Sequence, residues 1–297
     1  MLNVAGSTPP KDMLRQRTLL SDAVRRFSRN KLALVGLSLV LFLLILAIGA
    51  PLFAPERYDE AHFDRAWQFP SPQHIMGTDA LGRDFLSRII YGARISLMVG
   101  FLSQGLSYVI GVPLGLLSGW RGGRTDYIIM RIVDAMAAFP RLLFAILIMS
   151  ALGAGVEKVL LALALTGWID GCRMARAQIL KLKDADYVIA ARAVGATDRR
   201  ILFGHLFPNT LSPLIVGLGL GIPGAIFGEA GLSFLGLGIN PPTPSWGQML
   251  GEAGKYASYY WHLGLFPAIA IALTMLGFTL FGDGLRDALD PRMGQSK

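Results

Sequence analysis

YVIAARAVGATDRRILFGHLFPN, running from Tyr187 to Asn209, is the longest polar interval in the second half of a very apolar chain. Its pattern is that of ordered structure. Asp184 or Asp186 is placed to cap a short helix with Ala190, Ala191 and Val194 on one side. Gly195 follows, the residue best suited to a left-handed turn at a helix end. Thr197 then caps a second short helix, with Asp198 favourably placed in its first turn. Leu206 and Phe207 close the apolar stripe of that helix and Pro208 stops it. A basic helix–turn–helix of this kind serves a DNA-reading protein or a connector between membrane spans, and its surroundings decide which.

Those surroundings are apolar. Of 297 residues, 53% are hydrophobic and 16% charged, where a soluble domain carries about 25% charged residues. The excess arrives in long runs, which makes it membrane rather than core. The net charge of +8 is compatible with nucleic acid or anionic lipid, but the positions of the charges favour lipid. Seven Lys and Arg precede Leu32 and seven more lie between Arg173 and Arg200, flanking spans as the positive-inside rule requires. A DNA-reading role, and nucleic acid as a partner, are therefore set aside. The single cysteine, Cys172, excludes an internal disulfide, and the four histidines have no metal-ligand spacing.

Read in order, residues 1–31 form a basic tail, expected on the cytoplasmic side. Leu32 to Phe53 offers 22 residues without a charge, enough for a membrane that needs about 20, and 32–54 is taken as an uncleaved first span. Residues 55–90 form an external loop; from Glu56 to Arg88, four arginines face six carboxylates. Ile95 to Leu117 is the second span, where Gly111, Gly115 and Gly119 leave one face bare for close packing. The third runs from Tyr127 to Leu152, with Pro140 near its middle and Arg131 and Asp134 spaced to pair with each other. The fourth starts at Val156. The fifth, Leu211 to Phe227, is interrupted by Pro213 and Pro223, and Gly264 to Gly282 is the last. The expectation is an all-α integral membrane protein with six transmembrane helices and both termini cytoplasmic. Its core of five helices covers 91–282, with the polar interval 177–208 inside it and a tail at 283–297.

Two sets of residues carry a family resemblance. Ala190, Ala191, Gly195, Leu206 and Pro208 match the EAA loop of the membrane subunits of binding-protein-dependent ABC importers, while Ile189 stands where that family has Glu. Gly77–Thr78–Asp79–Ala80–Leu81–Gly82–Arg83–Asp84 resembles the GTD-x-LGRD stretch of the dipeptide, oligopeptide and nickel permeases of the C type. Glu229 to Gly238 and Asn240 to Gly247 resemble the same group.

The resemblance implies a type I ABC importer-like subunit in a bacterial or archaeal cytoplasmic membrane. It implies as partners a second, B-type permease, two ATP-binding subunits and an extracytoplasmic solute-binding protein. Ile189, Ala190, Ala191, Gly195, Leu206 and Pro208 become the residues that couple to the ATPase, and the solute a peptide or a related small species such as nickel. The chain itself holds no ATP machinery. Gly251 to Lys255 lacks the earlier Gly of a P-loop, and Tyr256 replaces its Ser or Thr. No nucleophile–base pair or metal cluster marks an enzyme, and no cofactor is expected. The competing reading is an ion-gradient-driven secondary transporter or channel, which would use mid-membrane ionisable groups such as Arg131, Asp134 and Arg141.

Overall fold

The computed structural model describes residues 19–289. Among them the regular secondary structure is helical, apart from one isolated bridge between Thr78 and Asp84. The first 18 residues of the basic tail lie outside the described part. The end of that tail is ordered: α1 (Leu19–Arg29) is a short amphipathic helix, and Phe27 meets the Phe281 ring edge-on at 5.8 Å.

α2 (Lys31–Ile48) is capped by Asn30, whose side chain accepts from the amides of Leu32 and Ala33. Leu41, Phe42 and Ile45 are exposed on it, as a lipid-facing span requires. Gly49 separates α2 from α3 (Ala50–Phe53), where Pro51 occupies the first turn of a new helix instead of ending the old one. The external loop ends earlier than expected. α4 (Phe85–Arg121) begins ten residues before Ile95 and runs unbroken for 37 residues, through Pro113.

The third span is corrected most. α5 (Gly123–Ala137) and α6 (Arg141–Leu152) meet at 86°. Pro140, with no N–H and a ring that collides with the preceding turn, breaks the helix rather than bending it. Arg131 and Asp134 do not pair either. Arg131 donates to the Tyr127 hydroxyl at 2.9 Å, and Asp134 accepts from Arg173 of the next helix at 2.8 Å. The pull of a cross-helix partner outweighs the i,i+3 contact that spacing alone suggested.

α7 (Val156–Leu182) packs along α4. α8 (Asp186–Ala193) and α9 (Asp198–Ile201) form the polar interval. α10 (Phe207–Phe234) passes through both Pro213 and Pro223, which were expected to interrupt it. After a loop, α11 (Trp246–Ala253) and α12 (Trp261–Leu289) complete the order. α12 carries helix through Asp283, where a tail was expected; residues 290–297 lie outside the described part.

Among the described residues, α2, α4, the continuous stretch Asp198–Phe234 and α12 are each long and apolar enough to cross a membrane, and the bent pair α5–α6 makes up to five. The core between them is built by facing apolar side chains: Val40, Leu97, Ile226, Phe278 and Trp246 bring α2, α4, α10, α12 and α11 together. Small residues allow the closest approaches. A Cβ added to Gly36 of α2 would stand 2.4 Å from the amide nitrogen of Phe281 in α12.

Candidate functional site

The stretch from Tyr187 to Asn209 folds as two short helices on the end of the bundle. Neither Asp184 nor Asp186 caps α8; Ala185 occupies that position without a side-chain bond, and Asp186 sits in the first turn. An acid there still opposes the positive end of the helix. Gly195 has φ +82°, the left-handed turn expected of it, and its amide donates to the Arg192 carbonyl at 2.9 Å. Thr197 caps α9, its hydroxyl accepting from the Arg200 amide at 3.4 Å, with Asp198 in the first turn.

Pro208 does not stop this helix. Leu202–Leu206 forms a π turn in which the Phe207 amide donates to the Leu202 carbonyl, and α10 continues directly. The wider turn shifts the bonding register one residue before a proline that has no N–H to offer.

The six expected coupling residues are divided by this geometry. Ile189 is 57% exposed and Ala190 is open beside it, on the outer face of α8. Ala191 is half-buried and Leu206 fully buried, both in the cluster that anchors the pair. Gly195 sets the angle between the two helices, and Pro208 is exposed at the start of α10.

Sequence reading missed the residues that hold this element down. Val188 and Ile201 are fully buried and meet Ala175 and Ile179 of α7. Arg192 lies over the Trp120 ring at 5.0 Å, tying α8 to the C-terminal end of α4. Val194, at 84% exposure, and Phe203 extend the open apolar surface begun by Ile189. Val188 was findable, since it stands three residues before Ala191 on the same helical face.

The opposite end carries the second motif. Asp79 Oδ1 accepts from the amides of Leu81 and Arg83 at 2.9 and 3.0 Å. Its Oδ2 accepts from Arg83 Nε at 2.7 Å and from the fully buried Arg88 guanidinium. Burial works to raise the pKa of Asp79, but the charges of Arg88 and Arg83 outweigh it and hold the carboxyl below its usual range. Asp84 caps α4, accepting from both the amide and the hydroxyl of Ser87 at 2.8 Å, and lies 3.1 Å from His74 Nδ1. Arg88 also donates to Gln248 of α11 at 3.2 Å. The GTD-x-LGRD stretch is thus a folded cap that joins the start of α4 to α11.

Glu229 serves the remaining motifs. Its Oε1 accepts from the hydroxyls of Ser233 and Ser245, both at 2.7 Å. Ser245 in turn caps α11, accepting from the Gln248 amide at 3.0 Å, and Ser233 accepts from Ile239 at 3.2 Å. One buried carboxyl therefore fixes the loop between α10 and α11. The Gly251–Lys255 stretch begins inside α11, not in a phosphate-cradling loop. Among the described residues no group of three or more His, Cys, Asp or Glu side chains could hold a metal ion.

Comparison with known proteins agrees with this geometry. Residues 111–295 match the binding-protein-dependent transport system inner membrane component family, and residues 18–72 the N-terminal transmembrane domain of oligopeptide transport permease C. The chain is 46% identical to the oligopeptide transport system permease protein OppC of Bacillus subtilis, over 93% of this chain and 90% of that protein. It is 43% identical to the dipeptide permease DppC of the same organism, over 92% and 85%. It is 42% identical to the glutathione transport system permease protein GsiD of Pectobacterium atrosepticum, over 93% and 92%. In fold it is similar to a chain of the MetNI methionine ABC transporter in an inward facing conformation, with TM-score 0.60 and 20% identity over 69% of this chain and 97% of that one. With its family-model matches and its identity to these permeases over most of its length, the chain belongs to the oligopeptide and dipeptide permease family of ABC importers.

Proposed function

We propose that this chain is the non-catalytic membrane half of an ATP-driven importer that takes a peptide, or a related small solute, from an external binding protein. In this reading it crosses the cytoplasmic membrane of a bacterium or archaeon six times, α7 supplying the crossing that composition alone does not mark. Both termini are cytoplasmic, so α8 and α9 face the cytosol. A second permease completes the path, and two separate subunits hydrolyse ATP.

The observation that carries the reading is the open apolar face of α8. Ile189 and Val194 are exposed on an element whose underside is anchored by Val188, Ile201 and Leu206, all fully buried. A rigid, anchored helix with an uncovered apolar face on the cytosolic side fits a groove on a partner. Because α9 runs through the π turn into α10, a push on that face moves a spanning helix as one body. The names of the relatives support a peptide-like solute.

Co-expression with the neighbouring ATP-binding subunits tests it. ATPase should co-purify with this chain, and uptake of peptide into cells should depend on it. Uptake that persists without the ATPase and collapses with the ion gradient would replace this reading with a secondary transporter.

A further inference from the structure

α1 is basic on the face it turns away from the bundle. Val24, Arg25, Ser28 and Arg29 are exposed, while Ala23, Arg26 and Phe27 on the other side are half-buried. Arg25 and Arg29 stand one turn apart at i and i+4, where like charges repel. Among the described residues neither guanidinium has a carboxylate partner. Asp22, the one acid of α1, pairs with neither, and nor do the exposed Asp283 and Asp287 of α12. Beside these bases Val24 is 68% exposed.

Two separate features fix the level at which this helix lies. α1 ends one residue before α2 begins, and Asn30 between them is extended, with φ −85° and ψ 104°. The chain therefore turns out of the line of α2, and Arg29 and Lys31 stand directly before the uncharged run Leu32 to Phe53. On its other side, Phe27 meets Phe281 and lies 3.4 Å from a Cβ placed on Gly284. There α12 passes from its uncharged run, Gly264 to Gly282, to Asp283, Arg286 and Asp287. Both neighbours change from apolar to charged at the level of α1, which is the boundary between hydrocarbon and headgroups.

We propose that the outer face of α1 is a docking surface for anionic phospholipid headgroups, with Arg25 and Arg29 holding a phosphate between them and Val24 entering the edge of the acyl layer. A guanidinium matches the oxygens of a phosphate in fork geometry, and an anion shared by two arginines removes their repulsion. A short basic helix beside a span gains from both the apolar contact and the anionic surface. Lys11, Arg15 and Arg17, outside the described residues, add to the same local charge. The inference rests on α2 and α12 crossing the membrane, and not on coupling to an ATPase.

The test uses the full chain in nanodiscs that carry the same mixture of phosphatidylcholine and phosphatidylglycerol on both faces. In a Cys172→Ala background, Val24→Cys carries a fluorophore, and one lipid or the other is supplied with brominated acyl chains as the quencher. A base at an anionic surface contributes about fivefold in binding, so phosphatidylglycerol should quench as though bound about tenfold or more tightly than phosphatidylcholine. Raising the salt to about 0.5 M should remove most of that preference. Arg25→Gln/Arg29→Gln should lower it about fivefold or more at low salt. Both side chains are exposed, so the fold does not depend on them, and the salt arm needs no substitution of either. Equal quenching by the two lipids overturns the docking surface. A preference unchanged in the double variant overturns its assignment to Arg25 and Arg29. Quenching by neither lipid places the face against water or another protein and overturns the proposal as well. The nanodisc holds no ATPase and its leaflets are alike, so a missing preference leaves the importer reading standing.

Discussion

Gly115 of α4 faces the backbone of Cys172 in α7 so closely that a Cβ on Gly115 would stand 2.2 Å from the Cys172 carbonyl oxygen. Gly111 meets Trp168 in the same way, at 2.1 Å, and Gly119 meets Ile179 Cβ at 2.8 Å. The obstacle at the first two is backbone, which cannot rotate aside. Gly115→Ala should therefore destabilise the protein by about 1–3 kcal/mol, and Gly115→Leu by more, through forced separation of α4 and α7. Gly105→Ala is the control in the same helix, since nothing lies within 4 Å of its Cβ. Thermal unfolding in detergent should show a loss for the first and none for the control.

Asp79 and Arg88 supply the second prediction. Removing the carboxylate in Asp79→Asn leaves a fully buried guanidinium without its main partner, a change that typically costs about 3–5 kcal/mol. The same pair gives a pH dependence of known sign. Asp79 titrates below its ordinary value in the folded protein. The stability it contributes is therefore complete above the unfolded pKa of about 3.9 and is lost as pH falls through the lower folded value. Acid unfolding of the wild type should steepen below about pH 4. That component should be missing in Asp79→Asn.

Topology is directly measurable. Gln73 and Thr197 are both exposed, at opposite ends of the bundle. In a Cys172→Ala background, Gln73→Cys should react with an impermeant thiol reagent in sealed cells, and Thr197→Cys only after the membrane is opened. Reaction of Thr197→Cys from outside would reverse the assignment of α8 and α9 to the cytosol.

Composition and the glycine spacing of α4 make most of the candidate spans legible in the sequence, because each is a local signal. The glycines at 111, 115 and 119 imply a close helix contact, and α7 provides it. What the sequence does not reveal is what depends on a distant partner. Asp134 is spaced to bond Arg131, yet Arg173 of α7 takes it from 39 residues away. Prolines mislead in both directions. Pro140 breaks a helix expected to cross whole, while Pro208, Pro213 and Pro223 sit inside or at the start of continuous helix. Whether a proline breaks or merely bends depends on how neighbouring turns re-bond the freed carbonyls, as the π turn before Pro208 does. At the candidate site, the residues named from the motif include its open face and its turn. Of the two residues that anchor it, Val188 is legible from its i,i+3 spacing to Ala191, whereas Ile201 carries no motif and is visible only through its burial.

Gly195 separates backbone conformation from space. No atom would obstruct an added Cβ within 4 Å, yet φ is +82°. Asn, which tolerates that region, should therefore be accepted, while Val is strained there by about 1–2 kcal/mol. In Gly195→Val the angle between α8 and α9 should change and transport should fall while the protein still inserts. In Gly195→Asn both should remain close to wild type. Equal uptake by the two variants would show that the left-handed turn does not matter for coupling.

Ile189 offers the sharpest test of the docking face. It is 57% exposed beside the buried Val188, so the helix turns this apolar side chain away from its own core. Covering one such side chain with a partner contributes about 1.5–3 kcal/mol, against about 1 kcal/mol or less for an exposed ion pair. An apolar groove opposite position 189 is therefore the stronger arrangement for this chain, and it needs no carboxylate. Ile189→Ser should weaken binding of the ATP-binding subunit roughly ten- to hundredfold, the loss of that burial. Ile189→Glu should weaken it further, because its charge would be desolvated with no matching partner. Val194→Ser, on the same open surface, should act in the same direction. Affinity of the purified ATP-binding subunit for each variant in nanodiscs decides the matter. Binding retained or strengthened in Ile189→Glu would mean that the groove accepts a carboxylate after all and that the isoleucine is covered by something else.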